Sequence, residues 1–80
     1  MDEVKRIIGE IMREDGITQG KIVFEYKMIP EIINRSGRDW TETYVRNCVQ
    51  ELSEEGYLDI ESEIGWNFTE RWFNELGINS

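Results

Sequence analysis

Thr43, Arg46, Asn47 and Gln50 stand at i, i+3, i+4 and i+7 within "TETYVRNCVQELSEEGYL", residues 41–58. On a helix that spacing places all four on one side. None is a carboxylate, although acids make up 17 of the 80 residues and Glu42, Glu51, Glu54 and Glu55 share the segment. Arginine can form paired hydrogen bonds to the guanine edge, and asparagine and glutamine to adenine, in a major groove wide enough to admit a helix. The candidate chemistry is therefore base reading by Thr43, Arg46, Asn47 and Gln50. The alternative is a solvated polar face with no partner. Phosphate contacts would fall to Lys27, Arg35 and Arg38, with Arg46 adding to them and Lys21 lying further off. Tyr44 either reaches a phosphate or packs at the helix edge.

Charge distribution sets the terms for such a partner. The formal net charge is -8, which by itself opposes a polyanion. Residues 21–50 nevertheless carry five cations against four acids, whereas residues 51–80 carry eight acids against Arg71 alone. The net-basic middle coincides with the candidate reading face. With so few cations, one copy is expected to bind DNA weakly, and a homodimer on paired half-sites would be needed for useful affinity.

Other chemistry is poorly supplied. Histidine is absent and Cys48 is the single cysteine, so the commonest general base, nucleophile and transition-metal ligands are missing. The chain is read as no enzyme, with no cofactor and no metal. A lone cysteine, expected to be half-buried, allows no internal disulfide and suits a reducing compartment. No apolar run approaches a membrane span, and "MDEVKRIIGEIMRED" reads as a charged amphipathic helix rather than a signal core. The expectation is a soluble, unprocessed cytoplasmic protein with no membrane partner.

The elements that must position the candidate face follow from periodicity. Val4, Ile7, Ile8, Ile11 and Met12 form one helical stripe, predicting a first helix over about 3–15, capped by Asp2 and ended by Gly16. "KIVFEY" (21–26) reads as a short strand, with a helix starting near Val23 as the alternative. Pro30 suits the first turn of a second helix, which carries Ile32 and Ile33 inward and stops near Gly37. Thr41 caps a third helix over about 42–55, closed by Gly56, with Trp40 folding onto Val45 as a staple. Val45, Cys48, Val49 and Leu52 form its inward stripe.

Alternation in "YLDIES" and "GWNFT", with Leu58 and Ile60, then Trp66 and Phe68, at alternate positions, predicts a β-hairpin of two half-buried strands joined by a short turn around Glu63 to Gly65. Thr69 then caps a last helix whose Trp72, Phe73 and Leu76 point inward before Gly77. Trp66, Trp72 and Phe73 are read first as core, with a dimer surface as the alternative. A single domain of 80 residues leaves the aromatics to supply much of a small core.

The order helix, strand, helix, helix, hairpin, helix resembles the winged helix-turn-helix family across nearly the whole chain. "SGRDWTETYVRNCVQELSEEGYLDIES" is similar to that family's turn and recognition helix, and "GWNFTERWFNELG" to the return strand of its wing running into a threonine-capped helix. The resemblance implies an α+β fold: a three-helix core, a two-stranded hairpin wing, a short additional strand and a short C-terminal helix. It also implies double-stranded DNA as partner and a role in transcriptional regulation. The wing departs from the family pattern, because it carries Asp59, Glu61 and Glu63 and no lysine or arginine. Phosphates would repel it. A second reading is therefore a protein-interaction module whose Asp59, Glu61 and Glu63 meet a basic protein. These three acids could also gather a divalent cation, but a solvated outer face is the preferred reading.

Overall fold

The five-residue stripe of the first helix is buried in full: Val4, Ile7, Ile8, Ile11 and Met12 all lie in the core. The computed structural model describes residues 2–61 and 64–76. Its elements are α1 (Asp2–Asp15), β1 (Ile22–Phe24), α2 (Glu25–Ser36), α3 (Glu42–Glu54), β2 (Leu58–Ile60), β3 (Gly65–Phe68) and α4 (Glu70–Leu76). The described residues thus form an α+β fold with four helices and one antiparallel sheet of strand order β1-β3-β2. Four expectations lie outside the described residues: the capping side chain of Asp2, Glu63 in the hairpin turn, the inward side chain of Leu76, and the stop at Gly77.

Two helices end in the same way. After α1, the Gly16 amide donates to the Arg13 carbonyl and the Ile17 amide to Met12. After α3, Gly56 donates to Ser53 and Tyr57 to Leu52. Both are Schellman closures, which require a left-handed residue, and Gly16 (φ 65) and Gly56 (φ 87) supply it. The second closure seats Tyr57 and Leu52 in the core together and turns the chain directly into β2. At its start α3 behaves as expected, with the Thr41 hydroxyl accepting the Tyr44 amide at 3.0 Å.

The second helix differs from its expected start. The strand is only Ile22–Phe24, and α2 begins at Glu25, so Pro30 lies inside the helix. Tyr26 resembles a strand residue by type, but Met28, Ile29 and Ile32 are all buried on a helical stripe that starts before the proline. Tertiary contact decides the boundary: the Glu25 amide, free at a helix start, donates to the Ile64 carbonyl beside β3. Pro30 lacks only the amide that would reach Tyr26, and both residues are exposed, so water can satisfy that carbonyl.

β3 is the central strand. Its register pairs Val23 with Trp66 on one side, and Leu58 with Phe68 and Ile60 with Trp66 on the other. Val23, Leu58, Trp66 and Phe68 point into the core, whereas Ile60, which shares the alternating apolar positions with Leu58, remains 41% exposed. Trp66, Trp72 and Phe73 are buried within one chain, which removes them from any dimer surface. Thr69 also departs from expectation. Its hydroxyl donates to the Gly56 carbonyl, and its own carbonyl receives the Phe73 amide to begin α4.

β1 reaches β3 across a bare position. A Cβ on Gly65 would sit 2.6 Å from Ile22 Cγ2 and 2.7 Å from the Val23 carbonyl oxygen. Gly65→Ala is expected to destabilise by about 1–3 kcal/mol through overpacking, and Leu52→Ala by about 2–5 kcal/mol through a core cavity. Urea unfolding measures both. A Gly65→Ala midpoint equal to wild type would mean that β1 does not lie this close to β3.

Candidate nucleic-acid interface

α3 presents Thr43, Arg46, Asn47 and Gln50 as exposed side chains while Val45, Cys48, Val49 and Leu52 are buried. The two stripes fall on the sides that their spacing predicts. Cys48 is more deeply covered than the expected half-burial, because it belongs to the inward stripe. Tyr44 stacks on Trp40, with ring centroids 5.2 Å apart and planes tilted by 43°. Trp40 itself packs against the core, as a staple should. Hydrogen bonding with Cys48 is the main cause that holds the Tyr44 hydroxyl above its ordinary pKa.

Carboxylates engage three of the four cations around this face. Arg46 Nε lies 3.1 Å from Glu25 Oε1, and its Nη2 is 3.3 Å from Glu42 Oε1. Arg35 forms a two-pronged contact with Glu14, both distances 2.8 Å, and a third bond of 3.0 Å to Glu31. Arg38 Nε donates to Glu3 at 3.0 Å. Glu14 and Glu3 belong to opposite ends of α1, so these two arginines tie the end of α2 and the following turn back to α1. The structure brings Thr43, Arg46, Asn47 and Gln50 together, but it commits Arg35 and Arg38 elsewhere. Lys27, in the first turn of α2, is exposed and lines a groove beside β1.

Two of these pairs were readable from sequence, since Glu31–Arg35 and Glu42–Arg46 are helical i, i+4 neighbours. Glu25, Glu14 and Glu3 join their arginines across 21, 21 and 35 residues. Only the packing of α1, α2 and α3 reveals them.

The acidic edge is equally plain. Asp59 on β2 and Glu61 just after it are exposed, with the Asn67 side chain donating to Glu61 at 3.4 Å. Glu63 lies outside the described residues. Among the described residues no group of three or more histidine, cysteine or acidic side chains could hold a metal ion. Nor is any helix among them long and apolar enough to cross a membrane. Comparison with known proteins finds no matching family model, no matching curated protein and no matching solved structure.

The Arg35 tie has a pH signature. Hydrogen bonding to Arg35, then its charge, holds the Glu14 carboxyl below its ordinary 4.5. On acidification the unfolded chain takes up this proton first. The stabilisation is therefore complete above about pH 4.5 and is lost as pH falls through the depressed folded value. Glu14→Gln should be less stable than wild type in urea at pH 7, with a smaller gap at pH 2. High salt should narrow the pH 7 gap, since the Glu14 carboxylate is largely exposed. An equal gap at both pH values would show that Glu14 contributes packing rather than charge.

Proposed function

We propose that this chain is a small sequence-specific DNA-binding protein of winged-helix type, probing the major groove with α3 and serving as a transcriptional regulator. One observation carries the reading. An exposed helix face presents Thr43, Arg46, Asn47 and Gln50 in base-reading spacing with no carboxylate among them. The order of helices and the hairpin is compatible with that arrangement, with β2 and β3 as the wing and β1 as the additional strand.

In this reading Arg46 must exchange Glu25 and Glu42 for a base edge or a phosphate. Arg35 and Arg38 would likewise have to leave α1 before they could hold phosphates. Each exchange takes back part of what DNA contact supplies, so binding by one copy is weak and falls steeply with salt. A second copy on a paired half-site would restore affinity by making the second contact intramolecular. The wing stands off the duplex, because Asp59 and Glu61 would be repelled by phosphates.

A second reading draws support from the same ion pairs. With five of its six arginines already in ion pairs, and Asp59 and Glu61 exposed on and just after the edge strand β2, the domain would use its acidic hairpin to hold a basic protein. Replacing Asp59 and Glu61 by lysine should then abolish capture of that protein. Capture that survived the replacement would remove the hairpin from consideration.

The DNA reading is tested by fluorescence anisotropy with labelled duplex DNA at two salt concentrations. Wild type should bind at the lower one, and the Arg46→Ala/Asn47→Ala double variant should bind about 10- to 100-fold more weakly. Glu42→Gln should bind more tightly than wild type, because it removes one of the two carboxylates that hold Arg46. Absence of salt-dependent binding by wild type at low ionic strength would end the DNA reading.

A further inference from the structure

Exposed apolar surface gathers at one corner of this molecule. Ile22 is 52% exposed, Phe24 44%, Tyr26 72% and Ile64 62%. The first three are nearly consecutive, Phe24 and Tyr26 lie ring to ring at 5.7 Å, and the Ile64 carbonyl receives the Glu25 amide between them. A contiguous patch of this kind marks an interaction site more often than chance exposure. It borders an open groove of about 400 Å³, where Ile17, Ile22, Phe24 and Met28 supply apolar wall and Lys27 and Asp15 supply charge.

The backbone in the groove is also available. Val23 pairs with Trp66 and the Glu25 amide bonds to Ile64, so the backbone groups of residues 23 and 25 face β3. Backbone direction alternates along a strand, which turns the Ile22 amide and carbonyl and the Phe24 amide outward. β1 is an edge strand with only apolar side chains. The other edge, β2, carries exposed Asp59, the kind of charge that normally guards an edge.

Charge then selects the occupant. Arg6, Arg35, Arg38, Arg46 and Arg71 are all in ion pairs, and Lys5 lies over the Tyr57 ring at 3.8 Å. Among the described residues, the cations left without such a partner are Arg13, Lys21 and Lys27. Lys27 lines the groove, and Lys21 directly precedes its wall residue Ile22. Two lysines against Asp15 make this corner locally positive in a chain of net charge -8.

We infer that the groove along β1 is a docking site for an extended segment of a partner protein, apolar at alternate positions and carboxylate-bearing between them. Such a segment would add a strand at Ile22–Phe24, lay its apolar side chains beside the exposed Ile22 and Phe24, and turn the carboxylates between them to the opposite face, toward Lys21 and Lys27. A second copy of this chain fits less well. It would set two strongly acidic molecules against each other over a groove sized for a few side chains. No α3 residue lines the groove, and its charge preference is opposite to that of the acidic hairpin.

An NMR titration of the ¹⁵N-labelled protein tests this with two capped six-residue peptides, one alternating leucine with aspartate and one alternating leucine with lysine. The aspartate peptide should shift the amides of residues 15–28, and the lysine peptide should leave them unmoved. Lys21→Glu/Lys27→Glu, a change of two exposed side chains, should weaken the aspartate peptide at least tenfold, and Asp15→Asn should strengthen it. The inference is overturned if the aspartate peptide produces no shifts at millimolar concentration. Equal binding of the two peptides, or shifts centred outside residues 15–28, would overturn it too. So would sedimentation showing a wild-type dimer that Phe24→Ser dissociates, since a second copy would then be the occupant.

Discussion

Three aromatic rings carried by β3 and α4 form the layer on which the other elements are assembled. Trp66 and Phe68 meet edge to face at 6.4 Å, Phe68 and Trp72 lie 4.7 Å apart, and Tyr57 approaches Trp72 at 6.2 Å. In so short a chain little else has the area to cover the apolar stripes of α1, α2 and α3. The layer also explains the strand order. β3 is central because it presents Trp66 and Phe68 to the core between β1 and β2. The Trp72 indole nitrogen has no hydrogen-bond partner among the described residues, which indicates that area rather than hydrogen bonding dictates a tryptophan there.

Around that core, charge is used mainly within the molecule. Arg35 and Arg38 fasten the end of α2 and its following turn to the two ends of α1. Arg71 braces the exit of α3 by donating to the Glu55 carbonyl, while pairing with Glu75 and lying over the Tyr57 ring. Hydrogen bonds from Tyr57 and then Arg71 hold the Glu75 carboxyl below its ordinary range. Exposed ion pairs contribute little individually to stability. Their greater effect here is to occupy cations that would otherwise be open to a polyanion, so the helix that exposes Thr43, Arg46, Asn47 and Gln50 is also the one whose arginine already has two carboxylates.

Legibility in the sequence followed the range of the interactions concerned. α1 and α3, the hairpin, the Thr41 cap and both glycine closures were evident because each depends on residues within one or two turns or a single alternating run. The α2 boundary was not, because the Ile64 carbonyl that receives Glu25 comes from the far side of the chain. Thr69 has the type of a cap, yet tertiary structure gives its hydroxyl to Gly56. The exposed corner at Ile22, Phe24 and Tyr26 was equally hidden, since strand-forming residue types do not say which strand becomes an edge.

By itself the sequence determined which side chains share a helix face, so Thr43, Arg46, Asn47 and Gln50 were bound to stand together once α3 formed. It also determined that Val45, Cys48, Val49 and Leu52 would oppose them, because helical period is a property of the local backbone. Only the tertiary structure decided what those side chains are free to do. Whether Arg46, Arg35 and Arg38 face solvent or a carboxylate depends on how α1, β1 and α2 are brought beside them. Coulombic attraction acts through space, and the carboxylates at Glu25, Glu14 and Glu3 become neighbours only when the aromatic layer draws the helices together.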